Sequence, residues 1–163
     1  MKKLIILTFS IIFFTTASYA VTYNSDPKIF INELVDDVIK ILSDKSTSKA
    51  DKAKKIGKIA VANVDINALG MYTLGDTRKT LSEKDLSAYK VLFEKYFLKS
   101  LTSRLSDYSS NKFEILGAEQ KSSNYTIVQS KIIESENQPE IKINWRVYTK
   151  DPLKPLIRDL IVE

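Results

Sequence analysis

The chain has 163 residues and a formal net charge of +5, and it contains neither cysteine nor histidine. Their absence excludes disulfides, thiolate catalysis, histidine-based catalytic triads and histidine-based zinc sites. No glycine-rich nucleotide-binding motif occurs either. The composition therefore leaves few enzymatic functions open, and we expect no cofactor, no metal site and no catalytic residue.

The first 20 residues have the pattern of a secretory signal peptide. Lys2 and Lys3 precede an apolar run over residues 4–14, and small residues (Ser18 and Ala20) stand at the −3 and −1 positions of a cut after Ala20. The apolar run is shorter than the roughly 20 residues that span a bilayer. An uncleaved N-terminal anchor is the alternative. After a cut at Ala20, residues 21–163 would form one domain. Its mild positive charge suits anionic head groups or an acidic protein better than nucleic acid.

Three helices are predicted before residue 75. Asp26 and Pro27 begin the first, which runs to about residue 43 with apolar residues at helical spacing. Ser48 begins a second helix to about Asn63, and Asp65 begins a short third one that Gly75 ends. Six lysines lie within residues 43–58. They form either a solvated helix face or a basic patch for a membrane surface or an acidic partner.

The strongest helical pattern covers residues 83 to about 107. Ser82 and Asp85 resemble a capping box, and a stripe of aromatic and leucine side chains continues to Tyr108. At 1.5 Å per residue the helix would be roughly 37 Å long. We therefore expect it to cross the whole of one sheet face.

From residue 112 the apolar period changes from about 3.6 to 2. This change predicts four strands, at residues 112–118, 124–133, 140–149 and 155–163, joined by short links that favour antiparallel hairpins. In the third strand Ile143, Trp145 and Val147 alternate with polar residues, so one sheet face is core and the other is wet. The predicted fold class is α+β, with N-terminal helices, including the long one, packed on a four-stranded antiparallel sheet.

Two features of the residues leave a functional alternative open. Asp159 stands among apolar residues, where a carboxylate can act as a base, or it pairs with Arg146 on the neighbouring strand or faces water. The aromatic stripe with Phe93, Tyr96 and Phe97, together with Trp145, either forms core or lines a cavity for an apolar ligand.

Three stretches of the sequence resemble the MlaC (toluene-tolerance) family of periplasmic phospholipid-binding proteins. They are residues 64–108 (VDINALGMYTLGDTRKTLSEKDLSAYKVLFEKYFLKSLTSRLSDY), residues 141–148 (IKINWRVY) and residues 157–163 (IRDLIVE). The resemblance implies a nuclear-transport-factor-like α+β cone with a deep apolar pocket. The wall candidates on that interpretation are Phe93, Tyr96, Phe97, Leu101, Ile143, Trp145 and Val147.

The resemblance also implies a function in the Gram-negative cell envelope. The protein would be a periplasmic carrier that shuttles phospholipid between an outer-membrane lipoprotein–porin complex and an inner-membrane ABC transporter with its substrate-binding ring, which maintains outer-membrane lipid asymmetry. Nucleic acid is not an expected partner. The alternatives are a small enzyme of a related cone fold that uses Asp159 as acid or base, and an envelope interaction module without a ligand.

Two departures from the family pattern lead to further expectations. Pro155 stands where the family usually has an aromatic residue. The family also continues past the final glutamate with further helices, so we expect a C-terminally shortened domain that lacks them. The last strand, residues 155–163, is then expected to be frayed or exposed, and lipid to be held less securely.

Overall fold

A computed structural model describes residues 22–106, 112–133 and 139–163 of the chain. The predicted signal peptide, residues 1–20, and Tyr108 at the end of the aromatic stripe lie outside the described residues. In chain order the elements are α1 (Pro27–Ser43), α2 (Lys49–Asn63), α3 (Ile66–Thr73), a 3₁₀ turn (Gly75–Lys79), α4 (Glu83–Ser106), β1 (Phe113–Ser122), β2 (Tyr125–Ile132), β3 (Ile141–Tyr148) and β4 (Leu156–Val162). Within these ranges, no helix combines the length and the hydrophobicity needed to cross a membrane.

Local capping explains where the helices begin. The Asp26 carboxylate accepts backbone N–H bonds from Lys28 and Ile29 at 2.9 and 3.1 Å, and the Ser48 hydroxyl accepts one from Asp51 at 3.1 Å. Each bond satisfies a helical N–H that has no partner within the helix. Gly75 follows α3 with φ 53°, a left-handed conformation that glycine adopts without strain. The predicted helix boundaries at these positions are confirmed.

The four strands form one antiparallel sheet in the order β1-β2-β3-β4. The α+β class and the hairpin connections are confirmed. The first predicted link was too long, however, because β1 continues through Ser122, which pairs with Tyr125. Residues 118–122 are exposed, so polar side chains there do not prevent the backbone from pairing.

The core lies between α1 and the sheet. Phe30 and Ile31 of α1 are 1% and 0% exposed, and they belong to one cluster with Val128 and Val147 of the sheet, both 0% exposed. Tyr23 packs edge-on against Phe30 and donates its hydroxyl hydrogen to Asp37 at 3.2 Å. Burial and the neighbouring Asp37 carboxylate raise the pKa of Tyr23 to about 12.

The long helix does not lie where its length suggested. The helix that contacts the sheet most closely is α1, on β1 and β2, whereas α4 packs against α2 and α3. Gly70 of α3 permits this arrangement, because a Cβ there would lie 2.8 Å from the ring of Phe93. The aromatic stripe of α4 is thereby divided: Tyr89 and Phe93 pack towards α3, and residues further along face the sheet across a cavity.

The last strand is exposed but remains paired to its end. Glu163 exchanges two backbone hydrogen bonds with Lys142, at 3.0 and 2.9 Å. Leu160, Ile161 and Val162 are 42%, 50% and 58% exposed. On the outer edge, Val64 bridges Ile157 and the Asp65 N–H donates to the Ile157 carbonyl at 2.8 Å. Beyond Ile157, no backbone hydrogen bond among the described residues occupies that edge.

Hydrogen exchange is expected to be faster across β4 than across β3. Central strands have neighbours on both sides, whereas an edge strand leaves alternate amides to water. Amide exchange followed by mass spectrometry on peptides from residues 141–148 and 156–163 measures the difference. Equal protection of the two strands would show that something covers the β4 edge in solution.

Candidate ligand-binding cavity

A cavity of about 320 Å³ lies between the helices and the sheet. Its wall comes from α1, α2, α3, α4 and all four strands, and the lining residues are Leu34, Val35, Val38, Ile39, Leu42, Ile56, Ile59, Ala60, Val64, Leu69, Phe97, Leu101, Leu105, Lys112, Phe113, Ile132, Ile143, Trp145, Ile157, Asp159 and Leu160. Only Lys112 and Asp159 in that set carry a charge. An apolar space of this kind suits a hydrocarbon ligand and offers almost no hydrogen bonds to a polar one.

The apolar face of α1 serves both the core and the cavity. Phe30 and Ile31 are buried in the core, and Leu34 is buried and also lines the cavity. The cavity residues that follow on the same face are half-buried: Val35, Val38, Ile39 and Leu42. Residues spaced three and four apart share one face of a helix, so the face continues past the edge of the sheet contact. This continuation supplies one complete wall.

Trp145 is held in the sheet wall by a buried hydrogen-bond chain. Its indole N–H donates to the Ser130 hydroxyl at 2.7 Å, and that hydroxyl donates to the Ile143 carbonyl at 3.2 Å. Ser130 is 1% exposed, and Phe113 packs edge-on against the indole with ring centroids 6.4 Å apart. An indole N–H that is partly withdrawn from water needs such a partner, so Ser130 positions Trp145. Ser130 was not predicted as a site residue, although its place in the inward-facing series Thr126, Val128 and Ser130 could have indicated it.

The structure places the seven wall candidates in four environments. Phe97, Leu101, Ile143 and Trp145 line the cavity. Phe93 stacks between Tyr89 and Phe97 above Gly70, and Val147 is 0% exposed in the core. Tyr96 is 72% exposed, because adjacent helical residues point about 100° apart and Phe97 takes the inward direction. The α1 and α2 walls were not anticipated.

Asp159 lies at the rim of the cavity, on the solvent side of the sheet. Val147 pairs with Ile157 and Arg146 pairs with Asp159, so a bulge leaves Arg158 without an opposite residue. Directly opposed residues share a face, which puts Asp159 with the exposed Arg146 and away from the buried Ile157. One Asp159 carboxylate oxygen accepts the Leu160 N–H at 2.8 Å. The described residues contain no cluster of potential metal ligands.

A polar cluster beside the cavity joins α3 to the end of the sheet. Arg158 Nε donates to Asp65 Oδ2 at 2.8 Å, its Nη1 donates to the Tyr125 hydroxyl at 3.0 Å, and its guanidinium lies 3.4 Å from the Tyr148 ring centroid. Burial by itself lowers the pKa of Arg158, but the hydrogen bonds to Tyr125 and Asp65 outweigh it and raise that pKa. Asp65 also caps α3 through the Ala68 N–H at 3.0 Å. The Asp65 carboxylate thus caps the N-terminus of α3 and also binds Arg158 of β4.

The fold and the cavity together define a small α+β protein that encloses an apolar space between its helices and one face of an antiparallel sheet. The family model described as MlaC protein matches residues 32–163. The chain therefore belongs to the MlaC family, as its sequence motifs suggested.

A solved structure with a similar fold is the phospholipid-binding protein from Ralstonia solanacearum, which was determined in complex with a phospholipid. The TM-score is 0.66 at 12% sequence identity, over 82% of this chain and 75% of that one. At this identity the likeness establishes the fold. No functionally curated protein matches the chain by sequence.

Proposed function

We propose that this protein binds a phospholipid and holds its hydrocarbon in the cavity between α1, α2, α4 and the sheet. The observation that carries the proposal is the lining, in which every residue except Lys112 and Asp159 is uncharged and almost every one is aliphatic or aromatic. Membership of the MlaC family and the phospholipid bound by the Ralstonia protein support the same ligand class.

The energetics favour enclosure of the acyl chains and not of the head group. Two 16-carbon chains carry about 30 CH₂ groups at ~0.8 kcal/mol each, so their exposure to water costs on the order of 20 kcal/mol. A phosphate inside the cavity would instead lose its hydration without gaining hydrogen bonds. The head group therefore remains outside the apolar lining.

The cavity volume bears on how the ligand enters. At about 320 Å³ it stands at the low end of the ~300–1,000 Å³ typical of ligand pockets. A two-chain lipid requires more room than this, so binding involves separation of the helices from the sheet.

Membership of the MlaC family and the sequence pattern of the N-terminus support a carrier role. We propose that residues 1–20 direct the chain to the periplasm and are removed there. The protein then carries phospholipid between an outer-membrane lipoprotein–porin complex and an inner-membrane ABC transporter with its substrate-binding ring. Such transport maintains the lipid asymmetry of the outer membrane.

Native mass spectrometry of the protein, expressed as the full chain and purified from the cell envelope, tests the proposal. The expected result is an N-terminus at Val21 and a bound phospholipid that a denaturing spectrum releases. Protein stripped of lipid is expected to recover it from liposomes. A protein that is empty after purification and also fails to acquire lipid from liposomes would contradict the proposal and favour a ligand-free envelope interaction module.

An enzyme that uses Asp159 is less well supported. The bulge at Arg158 directs Asp159 to the face of Arg146, and Lys112 is the only other charged residue in the cavity lining. General acid–base catalysis requires the carboxylate within hydrogen-bond reach of the proton that it transfers.

A further inference from the structure

The outward face of α4, together with the adjacent part of α2, carries lysines without acidic partners. Lys95 and Lys99 lie on α4 and Lys54 and Lys58 on α2, and all four are exposed. Lys54, Lys58 and Lys99 surround a shallow groove between the two helices. Among the ion pairs of the described residues, none involves any of these four lysines. The surface therefore presents uncompensated positive charge.

Two large apolar side chains stand on the same outward face of α4. Leu92 is 65% exposed and Tyr96 is 72% exposed. At 100° per residue they lie on one side of the helix with Lys95 and Lys99, opposite the side of Phe97 and Leu101 that lines the cavity. The combination of exposed leucine, exposed tyrosine and surrounding lysines is the pattern of a surface that inserts into the boundary between head groups and acyl chains.

We propose that Leu92 and Tyr96, with Lys54, Lys58, Lys95 and Lys99, form a docking surface for an anionic phospholipid bilayer. Below, this set of six is called the docking surface. It is distinct from the cavity, and docking does not depend on whether the cavity holds a lipid.

The choice of lysine favours a membrane over a protein partner. Protein–protein interfaces are depleted of lysine and enriched in arginine, and the docking surface contains four lysines and no arginine. Lysine acts as a mobile point charge on a long aliphatic stem, so it reaches lipid phosphates without a fixed geometry. Each lysine near an anionic surface contributes attraction that falls off within a Debye length.

The α2–α4 side carries an excess of positive charge, because α2 holds five lysines and a single acidic residue. Asp51 and Glu94 are the acidic residues nearest to these lysines along the two helices. Asp51 is engaged by its own helix cap, where its carboxylate accepts the Ser48 hydroxyl at 2.7 Å. With the lysines unpaired, the protein has an orientation in which α4 lies flat on a negative surface.

Vesicle co-sedimentation tests the docking surface. Protein purified after expression of the full chain is mixed with vesicles of phosphatidylcholine alone or with 30% phosphatidylglycerol added, at low and high salt. We expect binding only to the anionic vesicles, and weaker binding at high salt. Changing Lys54, Lys58, Lys95 and Lys99 together to Gln is expected to weaken that binding at least ~10-fold. The double change of Leu92 and Tyr96 to Ser is expected to weaken it several-fold at unchanged charge.

A matched control separates the docking surface from net charge. Changing Lys28, Lys142, Lys150 and Lys154 together to Gln removes the same charge from exposed positions elsewhere and is expected to leave most of the binding intact. Equal loss in both quadruple variants, or equal binding to neutral and anionic vesicles, would overturn the proposal. The proposal would also be overturned if the protein bound a soluble polyanion tightly and the changes of Leu92 and Tyr96 did not weaken that binding. The surface would then be a binding site for an acidic macromolecule. Native mass spectra of the variant with Lys54, Lys58, Lys95 and Lys99 changed to Gln are expected to show bound lipid. This result would show that the loss of vesicle binding is independent of lipid binding in the cavity.

Discussion

Replacing Val38 with Trp is expected to lower the affinity for phospholipid at least ~10-fold, while the protein remains folded. Val38 lines the cavity from α1 and is half-buried, so an indole at this position occupies space that the acyl chain needs. If the indole displaces about four CH₂ groups, the loss is on the order of 3 kcal/mol, or roughly 100-fold in affinity. Native mass spectrometry gives the lipid-bound fraction, and circular dichroism gives the fold.

The matched control for this change is Ile29→Trp on the same helix. Ile29 is 45% exposed and does not line the cavity, so this variant is expected to retain lipid. Leu101→Trp fills the cavity from the opposite wall, on α4, and is expected to lower lipid affinity in the same way. Loss of lipid in both variants would show that the effect does not come from a distortion of α1 alone. If Val38→Trp and Leu101→Trp both fold and hold as much lipid as the unaltered protein, the cavity is not the binding site.

Replacing Asp65 with Ala is expected to lower the free energy of unfolding by about 2–4 kcal/mol. Loss of the α3 cap contributes about 1 kcal/mol. Loss of the 2.8 Å bond to Arg158, whose side chain is 27% exposed, leaves a partly buried guanidinium without its carboxylate and contributes about 1–3 kcal/mol. Urea unfolding followed by the fluorescence of Trp145, the single tryptophan, measures the change.

Asp26→Ala provides the comparison for Asp65→Ala. Asp26 caps α1 in the same way but forms no ion pair among the described residues, so its removal is expected to cost about 1 kcal/mol. The difference between the two variants isolates the link from α3 to β4. Equal losses would show that the contact between Asp65 and Arg158 adds nothing beyond the cap.

The helix starts and the strand pattern were predictable because their causes are local. A side-chain oxygen at Asp26, Ser48 or Asp65 bonds to N–H groups two or three residues away, and this relation is visible in the sequence. The change of apolar period after residue 112 likewise reports which strand residues face inward. Membership of the MlaC family was also recognisable, because its motifs keep their order along the chain.

The composition of the cavity wall was only partly predictable. Phe97, Leu101, Ile143 and Trp145 were identified and do line it, but Tyr96 is exposed and Val147 is core. Hydrophobic side chains in a stripe look alike in sequence, whether they meet a neighbouring helix, the core or an empty space. Their distribution depends on how closely the helices approach, and Gly70 sets that distance at Phe93.

The sequence by itself determined the α+β class, the order of the elements, the absence of histidine and cysteine chemistry, and the family. Only the tertiary structure decided that α1 and not α4 covers the sheet, that α1 and α2 supply cavity walls, and that a bulge turns Asp159 towards Arg146. The physical reason is the range of the interactions. Caps and periodicity act within a few residues, whereas cavity walls, strand register and the direction of a carboxylate depend on contacts between residues far apart in the chain.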